Sequence, residues 1–89
     1  QLALLTARDG ITVNCMCPGW TNTSLVDFDR IGERTGISAD DARAKAEADN
    51  AQRRVLEPEE LAPMAVLLCS AAGAGITGQV INVDGGYRL

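Results

Sequence analysis

Two hydroxyl side chains directly behind a Pro-Gly break are the residues of this chain best placed to do chemistry. The segment Cys17-Pro18-Gly19-Trp20-Thr21-Asn22-Thr23-Ser24 offers two threonine hydroxyls, an indole N–H and, at Gly19, a backbone without a Cβ. It follows Ile11-Thr12-Val13-Asn14-Cys15-Met16-Cys17, where Ile11, Val13, Cys15 and Cys17 fall on one strand face and Met16 keeps the other partly apolar. That pattern predicts a buried strand of a mostly parallel sheet over 11–17. Pro18 has no N–H for a ladder, so pairing is expected to stop there, and Gly19 permits the turn. In open α/β sheets, ligands bind in the crevice beyond the carboxyl ends of strands. Pro18, Gly19, Thr21 and Thr23 are therefore the candidate binding residues.

The positioning elements follow from the rest of the chain. Gln1–Arg8 predicts the end of a helix with Leu2, Leu5 and Ala3 inward and Gly10 as its stop. Residues 21–36 predict an irregular stretch carrying Leu25, Val26, Phe28 and Ile31. A connection of that length inside a compact domain is usually functional, which suggests that 24–54 is a lid over a substrate and adds Leu25 and Phe28 to the candidates. Trp20 reads either as a pocket wall or as packing. Ser38 opens a charged, alanine-rich helix to about Arg54, with Asp41 three residues on, whose surface is expected to be solvated.

Glu57-Pro58-Glu59-Glu60 starts a helix over 58–72, with Pro58 at its first position and acids complementing the dipole. Leu61, Met64, Ala65 and Leu68 form one face, yet Val66, Leu67 and Cys69 leave no polar side, so burial all round is expected. Pro63 predicts a bend in its early turns. Residues 79–83 predict a final strand, closed by Asp84-Gly85-Gly86, where Asp84 reads as turn chemistry.

Composition narrows the classes. The chain has 89 residues, is 46% hydrophobic and 22% charged, and carries a net charge of −4. Such a length buries only roughly 60% of the unfolded surface. No basic stripe argues for nucleic acid as a partner. The run Met64–Cys69 is far short of the ~20 residues that cross a bilayer, so no membrane is expected. No basic segment followed by an apolar one opens the chain, and three cysteines with no histidine fit no zinc site. Small buried thiols in a reducing compartment, the cytoplasm, are the expectation. Two parallel strands alone do not make a stable sheet, so 1–89 is read as a fragment of one larger α/β domain.

Taken together, Gly10-Ile11-Thr12-Val13-Asn14 running to Pro18-Gly19, then Glu57-Pro58-Glu59-Glu60, then Gly78-Gln79-Val80-Ile81-Asn82-Val83-Asp84-Gly85-Gly86 resemble the C-terminal third of a short-chain dehydrogenase/reductase. The resemblance covers nearly all of the chain. It implies the C-terminal portion of a doubly wound, Rossmann-type parallel sheet and hydride transfer between NAD or NADP and an alcohol or carbonyl. A 3-hydroxyacyl or 3-oxoacyl compound is the implied substrate type, and a homo-oligomer, a tetramer, the implied assembly. Residues 18–23 match the family's nicotinamide loop: the backbone at Thr21 would hold the carboxamide, and the Thr23 hydroxyl the nicotinamide-side phosphate or amide. Thr21 stands where the family usually has Val or Ile, which a backbone contact tolerates.

In the resembled family the catalytic Ser and Tyr-x-x-x-Lys precede this segment. Here the one tyrosine, Tyr87, has no lysine four residues on, and Lys45 has no tyrosine beside it in sequence. The glycine-rich phosphate loop is missing as well. No catalytic residue is assigned, and neither NAD nor NADP is singled out. The alternative is a truncated, non-catalytic chain that keeps only the cofactor loop and an oligomer surface.

Overall fold

The computed structural model describes residues 1–88. In chain order it contains α1 (Leu2–Thr6), β1 (Cys15–Pro18), α2 (Phe28–Thr35), α3 (Ala39–Ala48), α4 (Pro58–Leu68) and β2 (Val80–Val83). Short 3-10 turns follow α1 at Ala7–Asp9 and α4 at Ala71–Gly73. The two strands pair in parallel, Cys15 opposite Val80 through Pro18 opposite Val83, with α2, α3 and α4 in the crossover. This is the α/β architecture expected from the sequence.

The paired part of β1 is shorter than 11–17 and lies further on. Residues 11–14 run beside 76–79, but the facing chain turns through Gly78 in the left-handed region, so no ladder continues. Single contacts hold them instead. The Val13 amide donates to Thr77 Oγ1, Gly78 N–H donates to the Val13 carbonyl, and the Asn14 amide group spans Ile76 O and Gln79 N. Pro18 is the last position of the strand, one beyond where its missing donor was expected to end pairing. The last strand likewise begins at Val80.

Residues 24–54 depart most from expectation. The stretch 21–36 contains a helix, α2, whose N-cap Asp27 accepts from the Arg30 amide at 3.2 Å. It stops at Gly36, in the left-handed region at φ 74°. α3 starts on Ser38, whose hydroxyl accepts from the Asp41 amide, and ends at Ala48, six residues early. Much of its surface is solvated as expected, with Asp40, Asp41, Arg43, Ala44, Lys45 and Ala48 exposed, but two of its alanines are not. Ala42 and Ala46 lie one turn apart, both buried, facing α2 where Gly32 is also buried. A Cβ at Gly32 would stand 2.6 Å from the Ile37 carbonyl, so only glycine permits this approach.

α4 ends at Leu68 and continues only as the 3-10 turn, because Gly73 packs against the Leu67 carbonyl. Pro63 is accommodated inside the helix. α4 covers the Met16 side of the sheet with Ala65 and Leu68. The other side, with Cys15 and Val80, is open, so Cys15 is exposed, and so is Cys69 at the C-cap of α4. The expectation of buried thiols fails for these two. Leu2 and Leu5 of α1, expected to point inward, are also exposed.

Candidate functional site

The loop after β1 is fixed by its backbone. Leu56 N–H donates to the Trp20 carbonyl at 2.9 Å and Asn22 N–H to the Leu56 carbonyl at 2.8 Å, forming an isolated parallel bridge centred on Thr21 and Leu56. In such a bridge the central residue's own N–H and C=O point away from its partner strand. The described residues place no hydrogen bond on the Thr21 N–H or C=O. The residue is buried, and its hydroxyl donates to the Gly19 carbonyl at 3.0 Å. Thr21 therefore offers a ligand one amide donor and one carbonyl acceptor side by side, while its side chain is occupied locally.

Gly19 lies against the end of β2. A Cβ there would meet Asp84 Cβ at 2.8 Å. Asp84 turns the chain by accepting from the Gly86 amide at 2.9 Å, the turn chemistry its sequence suggests. Between these two strand ends opens a cleft of about 480 Å³, lined by Cys17, Pro18, Gly19, Trp20, Val26, Asn82, Asp84 and Tyr87. The Cys17 thiol lies 3.8 Å from the Cys15 sulfur, and that contact pushes its pKa up, keeping it a thiol.

The candidate residues separate in space. Pro18, Gly19 and Trp20 line the cleft, and Thr21 lies next to it with its backbone edge turned from Leu56. Thr23 is exposed one turn later, its carbonyl accepting from Val26 N–H. Phe28 stands behind Trp20, ring centroids 6.1 Å apart, with the Arg43 guanidinium 5.7 Å over its other side. Leu25 is 93% exposed and lines a separate depression with Arg30 and Arg34. The structure brings Trp20 and Phe28 together and leaves Leu25 apart.

Val26, Asn82 and Tyr87 were not singled out as site residues in the sequence. Asn82 and Tyr87 flank the Asp84-Gly85-Gly86 turn, and a turn at a second strand end was the signal that could have found them. The loop is also tied to α4: Asn22 Nδ2 reaches the Glu57 carboxylate at 3.3 Å. Arg54 grips Glu60 with both terminal nitrogens, at 2.8 and 2.6 Å, and the Glu57 amide donates to Glu60 Oε2. The Arg54 contact first, then that amide, lowers the Glu60 pKa to about 2, and Arg54 is raised in turn. Among the described residues no cluster of three metal-ligating side chains occurs and no helix is long and apolar enough to cross a membrane.

The family described as enoyl-(acyl carrier protein) reductase matches residues 1–88. A D-beta-hydroxybutyrate dehydrogenase from Cupriavidus necator is 34% identical over 88 residues, covering 96% of this chain and 34% of that protein. A tropinone reductase homolog from Arabidopsis thaliana is 38% identical over 89 residues, covering 100% of this chain and 31% of that protein. The chain thus spans about a third of the length of these curated relatives. Among solved structures, a short chain dehydrogenase family protein from Francisella tularensis superposes with a TM-score of 0.86 at 34% identity, over 97% of this chain and 36% of that one. An actinorhodin polyketide ketoreductase with NADPH gives 0.85 at 35% identity, over 98% of this chain and 34% of that one.

Proposed function

Because this chain belongs to the short-chain dehydrogenase/reductase family, we propose that it forms the nicotinamide-facing part of an NAD(P)-dependent oxidoreductase acting on an alcohol or carbonyl. The observation that carries this reading is the backbone edge of Thr21. A nicotinamide carboxamide presents one carbonyl acceptor and one NH₂ donor, and the Thr21 N–H and C=O are their complements. Gly19 keeps the strand end free of a Cβ, and the 480 Å³ cleft beside it admits a flat ring. NAD(P)H, when bound, supplies the hydride. This chain's residues bind and orient: Thr21 fixes the carboxamide, Thr23 contributes its hydroxyl on the phosphate side, and Trp20 with Val26 excludes water from one side.

Residues 24–54 serve as a helical substrate lid, with Trp20 and Phe28 as its apolar hinge face and Leu25 at its outer edge. A 3-hydroxyacyl or 3-oxoacyl compound is the substrate type, in line with the hydroxybutyrate dehydrogenase relative. The groups that polarise a carbonyl and move its proton are not assigned to any residue of 1–89. The assembly is a homotetramer built through α4 and β2, because Val66, Leu67 and Val80 are 67%, 36% and 70% exposed and, among the described residues, β2 pairs only with β1. The compartment is the cytoplasm.

The test is cofactor binding by the full-length protein. Wild type should bind NADH or NADPH, and Thr23→Val should weaken that binding by about 1 kcal/mol, the net worth of one hydrogen bond. Unchanged affinity in the variant would remove Thr23 from the site. A full-length wild type that binds neither cofactor would leave the alternative, a chain that keeps the loop and the interface without the chemistry.

A further inference from the structure

Asp49 is the C-cap residue of α3, where the helix dipole disfavours a carboxylate. A capping role therefore does not account for it. Its own amide donates to the Ala46 carbonyl and its carbonyl accepts from the Arg88 amide at 2.8 Å, so its backbone is held on both sides. The side chain is aimed at the cleft wall: Oδ2 accepts from Trp20 Nε1 at 3.3 Å.

The next residues close a circuit back to the same tryptophan. Asn50 is buried, its amide group bridging Arg54 N–H and C=O, and it faces Tyr87 in an antiparallel bridge. Ala51 and Gln52 donate to the Gly86 and Gly85 carbonyls. Val55 and Leu56 then enter the core, and Leu56 N–H grips the Trp20 carbonyl. Trp20 is thus held at two points by one segment, its indole by Asp49 and its carbonyl by Leu56.

The consequence is geometric. In a trans peptide the C=O and the following N–H point in opposite directions, and the described chain has no cis bond. Turning the Trp20 carbonyl to Leu56 turns the Thr21 N–H away from it, onto the ligand edge. Rotation of the Trp20 side chain and backbone together would swing that N–H out of line. We propose that Asp49 is a positioning residue of the cofactor loop, fixing Trp20 so that the Thr21 edge stays aligned to bind the nicotinamide. This rests on the function proposed above.

The experiment uses the full-length protein and titrates NADH and NADPH against wild type, Asp49→Leu, Asp49→Asn, Trp20→Phe and the Asp49→Leu/Trp20→Phe double variant. Asp49→Leu removes the acceptor, Asp49→Asn keeps one, and Trp20→Phe keeps a ring beside Phe28 but lacks the N–H. Asp49→Leu and Trp20→Phe should each raise the cofactor Kd about fivefold, the factor one hydrogen bond is worth, and Asp49→Leu should raise KM to the same extent with kcat at saturating cofactor within about twofold of wild type. Asp49→Asn should restore most of the affinity, and the double variant should be no worse than either single one. If Asp49→Leu proves unstable, Asp49→Ala, which also lacks an acceptor, takes its place with the same expected loss. Wild-type affinity in the acceptor-less variant, no rescue by Asn, or losses that add in the double variant would each overturn the proposal. A wild type that binds neither cofactor fails the functional reading itself, and the positioning role falls with it.

Discussion

The loop-and-helix half and the sheet half of this chain differ in how much they bury. In the half formed by 19–56 with 84–88, Ala42, Ala46, Val55, Leu56, Thr21 and Asn50 are buried, and Leu25 is the large apolar side chain left in water. In the sheet half, Leu2, Leu4, Leu5, Ile11, Val66 and Val80 are exposed by half or more. A parallel sheet requires cover on both faces, and here α4 covers one. The loop-and-helix half therefore closes largely on itself, whereas the sheet half leaves apolar surface exposed. The cleft lies on the border between them, with Cys17, Pro18 and Asn82 from the strands and Trp20, Val26 and Tyr87 from the other half.

The largest expected effect breaks the closed half. Gly32→Val would place side-chain atoms where a single Cβ already stands 2.6 Å from a carbonyl. Overpacking of the α2–α3 seam should cost about 3 kcal/mol, read from denaturant unfolding. A loss of stability below about 1 kcal/mol would show that the chain around Gly32 yields and that this half is not tightly closed.

In the open half a charge should be silent for folding and decisive for assembly. Val66→Glu, at a position 67% exposed, should leave unfolding of the subunit nearly unchanged and dissociate the full-length oligomer. Each large apolar group lost from such an interface is worth on the order of 1.5–3 kcal/mol. Sedimentation of the variant as smaller species checks this. A wild-type protein that sediments as a monomer at micromolar concentration would remove the interface altogether.

The smallest effect concerns the link between the halves. Glu60 has a folded pKa lowered to about 2 from an ordinary 4.5, by Arg54 first and the Glu57 amide second. A lowered carboxylate contributes stability that is complete above its unfolded value and lost as pH falls from there toward about 2. Wild type should lose this contribution over that acidic window, and more of it should already be gone in high salt, since the pair is exposed. In Glu60→Gln the contribution is missing at neutral pH, so the acid-induced drop should be shallower. An identical pH profile in the variant would show that the Arg54–Glu60 pair contributes nothing measurable.

Legibility in the sequence followed the same division. The strand-Pro-Gly pattern, the Glu57-Pro58-Glu59-Glu60 helix start and the Asp84 turn were readable because each is a local rule about one backbone donor, one dipole or one turn. α2 was not read, although Asp27 and Gly36 are ordinary start and stop signals, because Gly32 in its middle weakens any helical reading. That glycine is required by the chain that follows α2, since a Cβ there would meet the Ile37 carbonyl at 2.6 Å and Ser38 at 3.1 Å, an approach that residue types alone do not announce. The buried role of Ala42 and Ala46 was hidden for the same cause: alanine favours helix on either a wet or a dry face. Cys15 was expected to be buried from strand alternation, which reports what a full sheet would bury and not what these residues cover. The Asp49–Trp20 contact joins positions 29 residues apart through a bond that no spacing rule anticipates.

The central claim, that the backbone edge of Thr21 receives the nicotinamide end of NAD(P), is tested most directly at one amide. Residue-resolved hydrogen exchange of the full-length protein should be recorded with and without saturating NADH or NADPH. The Asn22 and Leu56 amides, already bonded across the bridge, should be protected in both states. The Thr21 amide should exchange faster than its neighbours in the free protein and become protected when cofactor binds, with Asp49→Leu reducing that gain. A Thr21 amide whose exchange is unchanged at saturating cofactor would contradict the account.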